Sequence, residues 1–153
     1  MRKLTLGLAA VAALSTAPAY AGTTSGTMDV TLNVDNACSL TAKNIDFGTV
    51  SDFSTLPLTS TSGTTLKCTP SAVATVTVTN GANANGTQRR MKSGTNFVDY
   101  NLQDATNTAW NPSGVSFTGN GSDVSLGLKA VIPVQAAKPA GAYSDTVTIN
   151  VAY

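Results

Sequence analysis

Residues 145–153 read DTVTINVAY, and the alternation in this stretch decides the fold class. Val147, Ile149, Val151 and Tyr153 fall on one face, and Thr146, Thr148, Asn150 and Ala152 on the other. A period of two sends successive side chains to opposite faces of a pleated strand. The stretch closes the sequence with no further strand signal behind it. At the border of a sheet, its outer edge would carry unpaired backbone N–H and C=O groups, which need a cover.

The same period returns upstream. In residues 73–79, Val76 and Val78 face one way and Thr75, Thr77 and Thr79 the other. Met28, Val30, Leu32 and Val34 alternate strictly with Asp29, Thr31 and Asn33. Shorter extended pieces are expected at 39–41, 45–50 and 66–69, a further pair at 89–92 and 97–102, and later strands over 124–133 and 142–153. Gly, Pro, Asn and Ser separate them, most densely in the turn-rich loop NGANANGT at 80–87. Little of the chain after residue 21 has a helical apolar period. Threonine occurs 24 times, and valine is also frequent; both are β-branched and favour strands. The class is all-β, and many short strands in one domain point to an immunoglobulin-like sandwich or a small barrel.

The N-terminus reads as a cleavable secretory signal. Arg2 and Lys3 precede a short apolar run, Leu4 to Leu14, and Ala19-Tyr20-Ala21 offers small residues at the two positions a signal peptidase reads. A membrane anchor needs roughly 18 apolar residues, and Ser15, Thr16 and Pro18 interrupt this run first. Cleavage after Ala21 is expected to leave residues 22–153, without membrane insertion of the mature chain. That chain carries seven Lys and Arg against eight Asp, a net charge of −1, which offers no electrostatic basis for binding nucleic acid.

Cys38 and Cys68 make an even pair in an exported chain and are expected to form a disulfide. A redox or metal site is the competing reading, and it lacks both a CxxC spacing and any histidine. No cofactor is expected. The absence of His and Glu also removes the usual acid–base and nucleophile constellations, so an enzyme is not expected. Arg89-Arg90 reads as a solvated strand end or as the partner of a local aspartate such as Asp99 or Asp104. An anion site is the sharper alternative. Trp110 and Tyr100 read as core or loop-anchoring aromatics, against sugar-stacking residues of an adhesin-like module.

Residues 28–34 admit two readings. They form the domain's own first strand, or an arm that adds to an exposed sheet edge on another copy, with main-chain bonds for affinity and alternate side chains in pockets for specificity.

The order of several short segments carries a resemblance. It comprises the alternating strand 28–34, Cys38, Ile45-Asp46-Phe47-Gly48-Thr49-Val50, Cys68-Thr69, Arg90-Met91, Tyr100-Asn101-Leu102, Trp110, Pro133 and Gly141-Ala142-Tyr143-Ser144-Asp145-Thr146-Val147. This order resembles the spore coat protein U domain family, whose members include subunits of archaic chaperone–usher pili. The resemblance spans essentially residues 22–153. It implies an incomplete immunoglobulin-like sandwich completed by donor-strand exchange, with a periplasmic chaperone filling the groove until an outer-membrane usher replaces it with a neighbouring copy's arm. Carried onto this sequence, residues 1–21 are the signal, 22–36 the donor strand and 37–153 the pilin domain. Met28, Val30, Leu32 and Val34 become pocket-filling residues, with Gly26 in the same alternation, and Val147, Ile149 and Val151 belong to the acceptor edge. The expected function is a pilus subunit for surface adhesion or biofilm formation. The alternatives are a secreted coat-like protein that does not polymerise and a glycan-binding adhesin module.

Overall fold

The structure is a computed structural model, and it describes residues 20–110 and 113–153. Most of the expected signal segment, residues 1–19, lies outside the described residues, as does Pro112. The chain divides after Asn33 into two units.

In the first unit, residues 20–33 form no strand. The alternation at 28–34 is therefore not spent on a ladder within its own chain, in contrast to the reading of these residues as the domain's first strand. Met28, Val30 and Leu32 are 84%, 86% and 88% exposed.

The second unit, Val34–Tyr153, holds all the described strands. In chain order they are β1 (Cys38–Thr41), β2 (Leu58–Thr61), β3 (Thr65–Cys68), β4 (Val73–Val78), β5 (Arg89–Ser93), β6 (Asn96–Gln103), β7 (Val115–Thr118), β8 (Val124–Ser125), β9 (Lys129–Ile132) and β10 (Ile149–Ala152), with a 3-10 turn at Phe53–Thr55. They form three antiparallel sheets, ordered β1-β3-β8, β10-β4-β7 and β2-β9-β6-β5. All three contribute to one core, through Leu66 and Cys68, Ala74, Val76 and Val78, and Val98, Tyr100, Leu102, Ala130 and Ile132. Sheets that pool their apolar faces this way make a sandwich-like, all-β domain, as the alternation anticipates.

In β4, Ala74, Val76 and Val78 are buried while Val73 and Thr75 are exposed, which is the expected two-faced pattern. The expected pair at 89–92 and 97–102 is the β5–β6 hairpin, with Met91 opposite Val98. The stretch 124–133 is broken into β8 and β9 by Gly127, whose φ of +62° turns the chain. Residues 45–50 are not a strand, because the Asp46 carboxylate accepts a 2.7 Å hydrogen bond from the Gly48 N–H and Gly48 sits at φ +68°. The 142–153 piece is strand only over β10.

Cys38 and Cys68 face each other across the β1–β3 ladder and are joined, with an S–S distance of 2.04 Å. Arg89 is buried, and its guanidinium donates to the carbonyls of Thr79 (3.1 Å) and Val78 (3.2 Å). Arg90 donates to the Asn83 carbonyl and lies 4.1 Å over the Phe97 ring. Neither arginine takes the aspartate partner expected from the sequence. In Arg89, backbone carbonyls satisfy the guanidinium where burial disfavours a lone charge. Trp110 is buried and its backbone N–H donates to the Leu102 carbonyl, so its ring is a core anchor.

Gly119 sits where β7 passes the end of β3. Its N–H donates to the Ala72 carbonyl at 2.7 Å, and a Cβ there would stand 2.2 Å from the Thr69 carbonyl oxygen and 2.9 Å from that of Cys68. Both obstacles are backbone and cannot swing aside. Gly119→Ala is expected to cost about 3 kcal/mol, the upper end of ordinary single substitutions. Thermal denaturation should register a fall of about 10 °C; an unchanged midpoint would show that the backbone relaxes freely there.

Candidate functional site

Sheet order leaves β10 with a ladder partner on one side. β10 pairs with β4, Ile149 opposite Val78 and Val151 opposite Val76, and no described strand pairs with its other edge. β1 likewise ends its sheet. The main-chain groups along such an edge are a template for another strand.

A cleft of about 570 Å³ opens beside β10. Residues 42–47, which continue the chain from β1, line one side, and Tyr143 to Asp145, Val147 and Ile149 line the other. Val78, Tyr100, Leu102, Leu128 and Ala130 also line it and belong to the buried core, so the base of the cleft is largely apolar. Ile45 and Phe47 present the apolar face of the first wall, and Met91 and Tyr143 add half-buried apolar surface.

Among the described residues the first wall has no strand pairing, and the second combines short main-chain contacts with side-chain bonds. On the first, the Lys43 N–H donates to Thr64 Oγ1 at 2.9 Å, Ser62 Oγ donates to the Lys43 carbonyl at 2.7 Å, and Ser60 Oγ donates to the Asp46 carbonyl at 2.5 Å. Ser62 and Thr64 are buried and hydrogen-bonded to each other, so these hydroxyls replace the ladder the segment lacks. On the second wall, Ser144 exchanges backbone hydrogen bonds with Lys92, and Thr146 accepts from the Ala82 N–H. The Asp145 carboxylate accepts from the Asn83 N–H, from Asn83 Nδ2 and from the Tyr100 hydroxyl, at 3.0, 3.1 and 2.7 Å. Burial, followed by the hydrogen bond to Asp145, pushes the Tyr100 phenol well above its ordinary value. The hydroxyl therefore stays a donor throughout the neutral range.

Of the residues singled out in the sequence, Val147 and Ile149 line the cleft; Val151 packs against the core without lining it. Cys38 and Cys68 fasten β1, the strand leading into the first wall. Val34 is 70% exposed at the start of the second unit, and Ala21 is exposed in the first. The sequence reading missed Ile45 and Phe47 as a wall and Tyr100 with Asp145 as its fastening. The alternation of Ile45 and Phe47 was the available signal for the wall.

The family model of the Spore Coat Protein U domain matches residues 24–150. The chain belongs to the Spore Coat Protein U domain family. The match takes in the alternating segment 28–34 as well as the sandwich, so this protein U domain sequence includes residues outside the strands. Among solved structures, the domain is similar to one in the chaperone–tip adhesion subunit pre-assembly complex, CsuC–CsuE, from archaic chaperone–usher Csu pili of Acinetobacter baumannii. Identity is 26%, the TM-score is 0.60, and the likeness covers 78% of this chain and 40% of that chain. The chain thus spans well under half of the length it matches there. No curated protein matches it.

Proposed function

We propose that this protein U domain chain is a structural, non-catalytic subunit of a chaperone–usher pilus. In this reading the arm, residues 24–34, of one copy adds as a strand to the cleft of the next. The observation that carries it is the coincidence of two unsatisfied features in one sequence. One is an apolar cleft beside an unpaired strand edge; the other is a segment whose alternating apolar residues are 70–88% exposed. Family membership and the likeness to a subunit of Csu pili support the same reading.

Each half supplies what the other lacks. Edge N–H and C=O groups gain a ladder, and Met28, Val30, Leu32 and Val34 gain an apolar site. Burying four such side chains is worth roughly 6–12 kcal/mol at about 1.5–3 kcal/mol each, offset in part by ordering the arm. The contact is heterologous and does not close on itself, so it propagates into a filament. Before assembly, a periplasmic chaperone would cover the cleft and an outer-membrane usher would exchange it. The signal segment, cut after Ala21, would send the subunit through the periplasm to the cell surface, where filaments serve adhesion or biofilm formation.

The test is deletion of residues 24–34 from the exported protein, produced with its chaperone. SDS-resistant ladders that dissociate on heating are expected from the parent, and only chaperone-bound monomer from the deletion. A ladder that survives the deletion overturns the reading.

A further inference from the structure

The second wall of the cleft has a fastening that its strand pairing does not provide, and its make-up points to a use. β10 proper begins at Ile149, so Tyr143, Ser144, Asp145 and Val147 line the cleft ahead of the regular ladder. Asp145 reaches away from this wall to two separate parts of the domain. One carboxylate oxygen takes both Asn83 donors from the 80–87 loop, and the other takes the hydroxyl of Tyr100 on β6. The surrounding residues make room for it. Gly81 lies at φ +91°, and a Cβ there would stand 2.0 Å from the second carboxylate oxygen, so only a glycine admits the aspartate. Asn83 is itself held, its carbonyl accepting from Arg90 and its side chain donating to the Ser144 carbonyl.

We propose that Asp145, Tyr100 and Asn83 act as a positioning latch, holding the wall at 143–147 in strand-ready geometry while the cleft is empty. The proposal rests on the donor-strand reading of the cleft. An empty cleft leaves this wall without a ladder on its open side, and the Asp145 side-chain bonds then add to the main-chain bonds that Ser144 makes with Lys92 and Thr146 with Ala82 on its inner side. Once an incoming strand pairs with the wall, the new ladder does the same work, and the latch becomes redundant. A device of this kind affects capture of the strand far more than stability of the filled domain, because pre-organisation lowers the ordering cost of binding. A merely structural network would weaken both alike.

The experiment uses the mature chain, residues 22–153, refolded as a dilute monomer, with a fluorescein-labelled peptide of residues 24–34 as probe. Tyr100→Phe removes one donor to the carboxylate, and Asn83→Ala removes another from outside the cleft. Each variant is expected to capture the peptide at least about tenfold more slowly than the parent, equivalent to about 1.4 kcal/mol in the barrier. The same substitutions are then placed in a self-filled chain carrying a second copy of residues 24–34 behind a flexible C-terminal linker. There they should shift the melting midpoint by less than about 4 °C. Capture at the parental rate by both variants overturns the latch, and so does an equal loss in the empty and self-filled forms. A parent chain that captures no peptide overturns the donor-strand reading, and the latch with it.

Discussion

Val30→Asp combined with Leu32→Asp is expected to abolish the SDS-resistant ladder while leaving the subunit folded and exported. The asymmetry follows from where these side chains sit. In the unassembled chain they are 86% and 88% exposed, so an added charge meets water and costs the fold almost nothing. In the proposed joint each would enter an apolar cleft based on Val78, Leu102, Leu128 and Ala130. Losing two buried aliphatic side chains removes roughly 3–6 kcal/mol. Desolvating two carboxylates with no cation to pair adds to that loss. At 1.4 kcal/mol per decade, the apolar term alone weakens the joint by about a hundredfold or more. Size-exclusion chromatography and circular dichroism of the chaperone-released subunit would check the fold, and electrophoresis of unheated samples the ladder. Ladders of parental length from the double variant would remove these two side chains from the joint.

The second large effect belongs to the disulfide. Cys38→Ser or Cys68→Ser is expected to cost about 3–4 kcal/mol, the loop-closure value for a crosslink spanning 30 residues. Against a total stability of about 5–15 kcal/mol for an ordinary domain, that removes between about a fifth and most of the margin. Two local features make the loss larger than a surface crosslink would give. Cys68 is buried in the core, so a serine there leaves a hydroxyl among apolar neighbours. β1 is only four residues long, and beyond it the chain becomes the first wall of the cleft. Unfastening β1 should therefore reduce peptide capture as well as periplasmic yield. Yield and melting midpoint unchanged by the substitution, or by reductant on the parent, would count against a structural role.

The parts of this fold legible in the sequence are those where one strand has one wet face. β4 and β6 alternate cleanly, because Val76, Val78, Val98, Tyr100 and Leu102 each turn to the core between more exposed neighbours. β2 and β7 gave no such signal. β2 reads LTST and β7 reads VSFT, each too short and too polar to stand out from the surrounding Ser and Thr. The cleft was half legible. Val147 and Ile149 announce themselves by period, whereas the opposite wall depends on Ser60, Ser62 and Thr64 holding residues 43–46 in place. Hydroxyl-to-backbone bonds between residues 14 to 21 positions apart leave no trace in local pattern. The same holds for Asp145 and Tyr100, which lie 45 residues apart.

The place of the disulfide has a mechanical consequence. In the proposed arm-joined filament, tension would enter each subunit through the residues that follow the arm and reach Cys38 within a few positions. There the load meets a covalent bond to β3, the middle strand of its sheet, before it can shear the four-residue β1 ladder. The pull is thereby handed to the interior of the sandwich, where strand neighbours on both sides share it. A crosslink placed elsewhere in the domain would stiffen the subunit equally at rest. Placed here, it would keep a fibre assembled in the proposed way from peeling its subunits open one strand at a time.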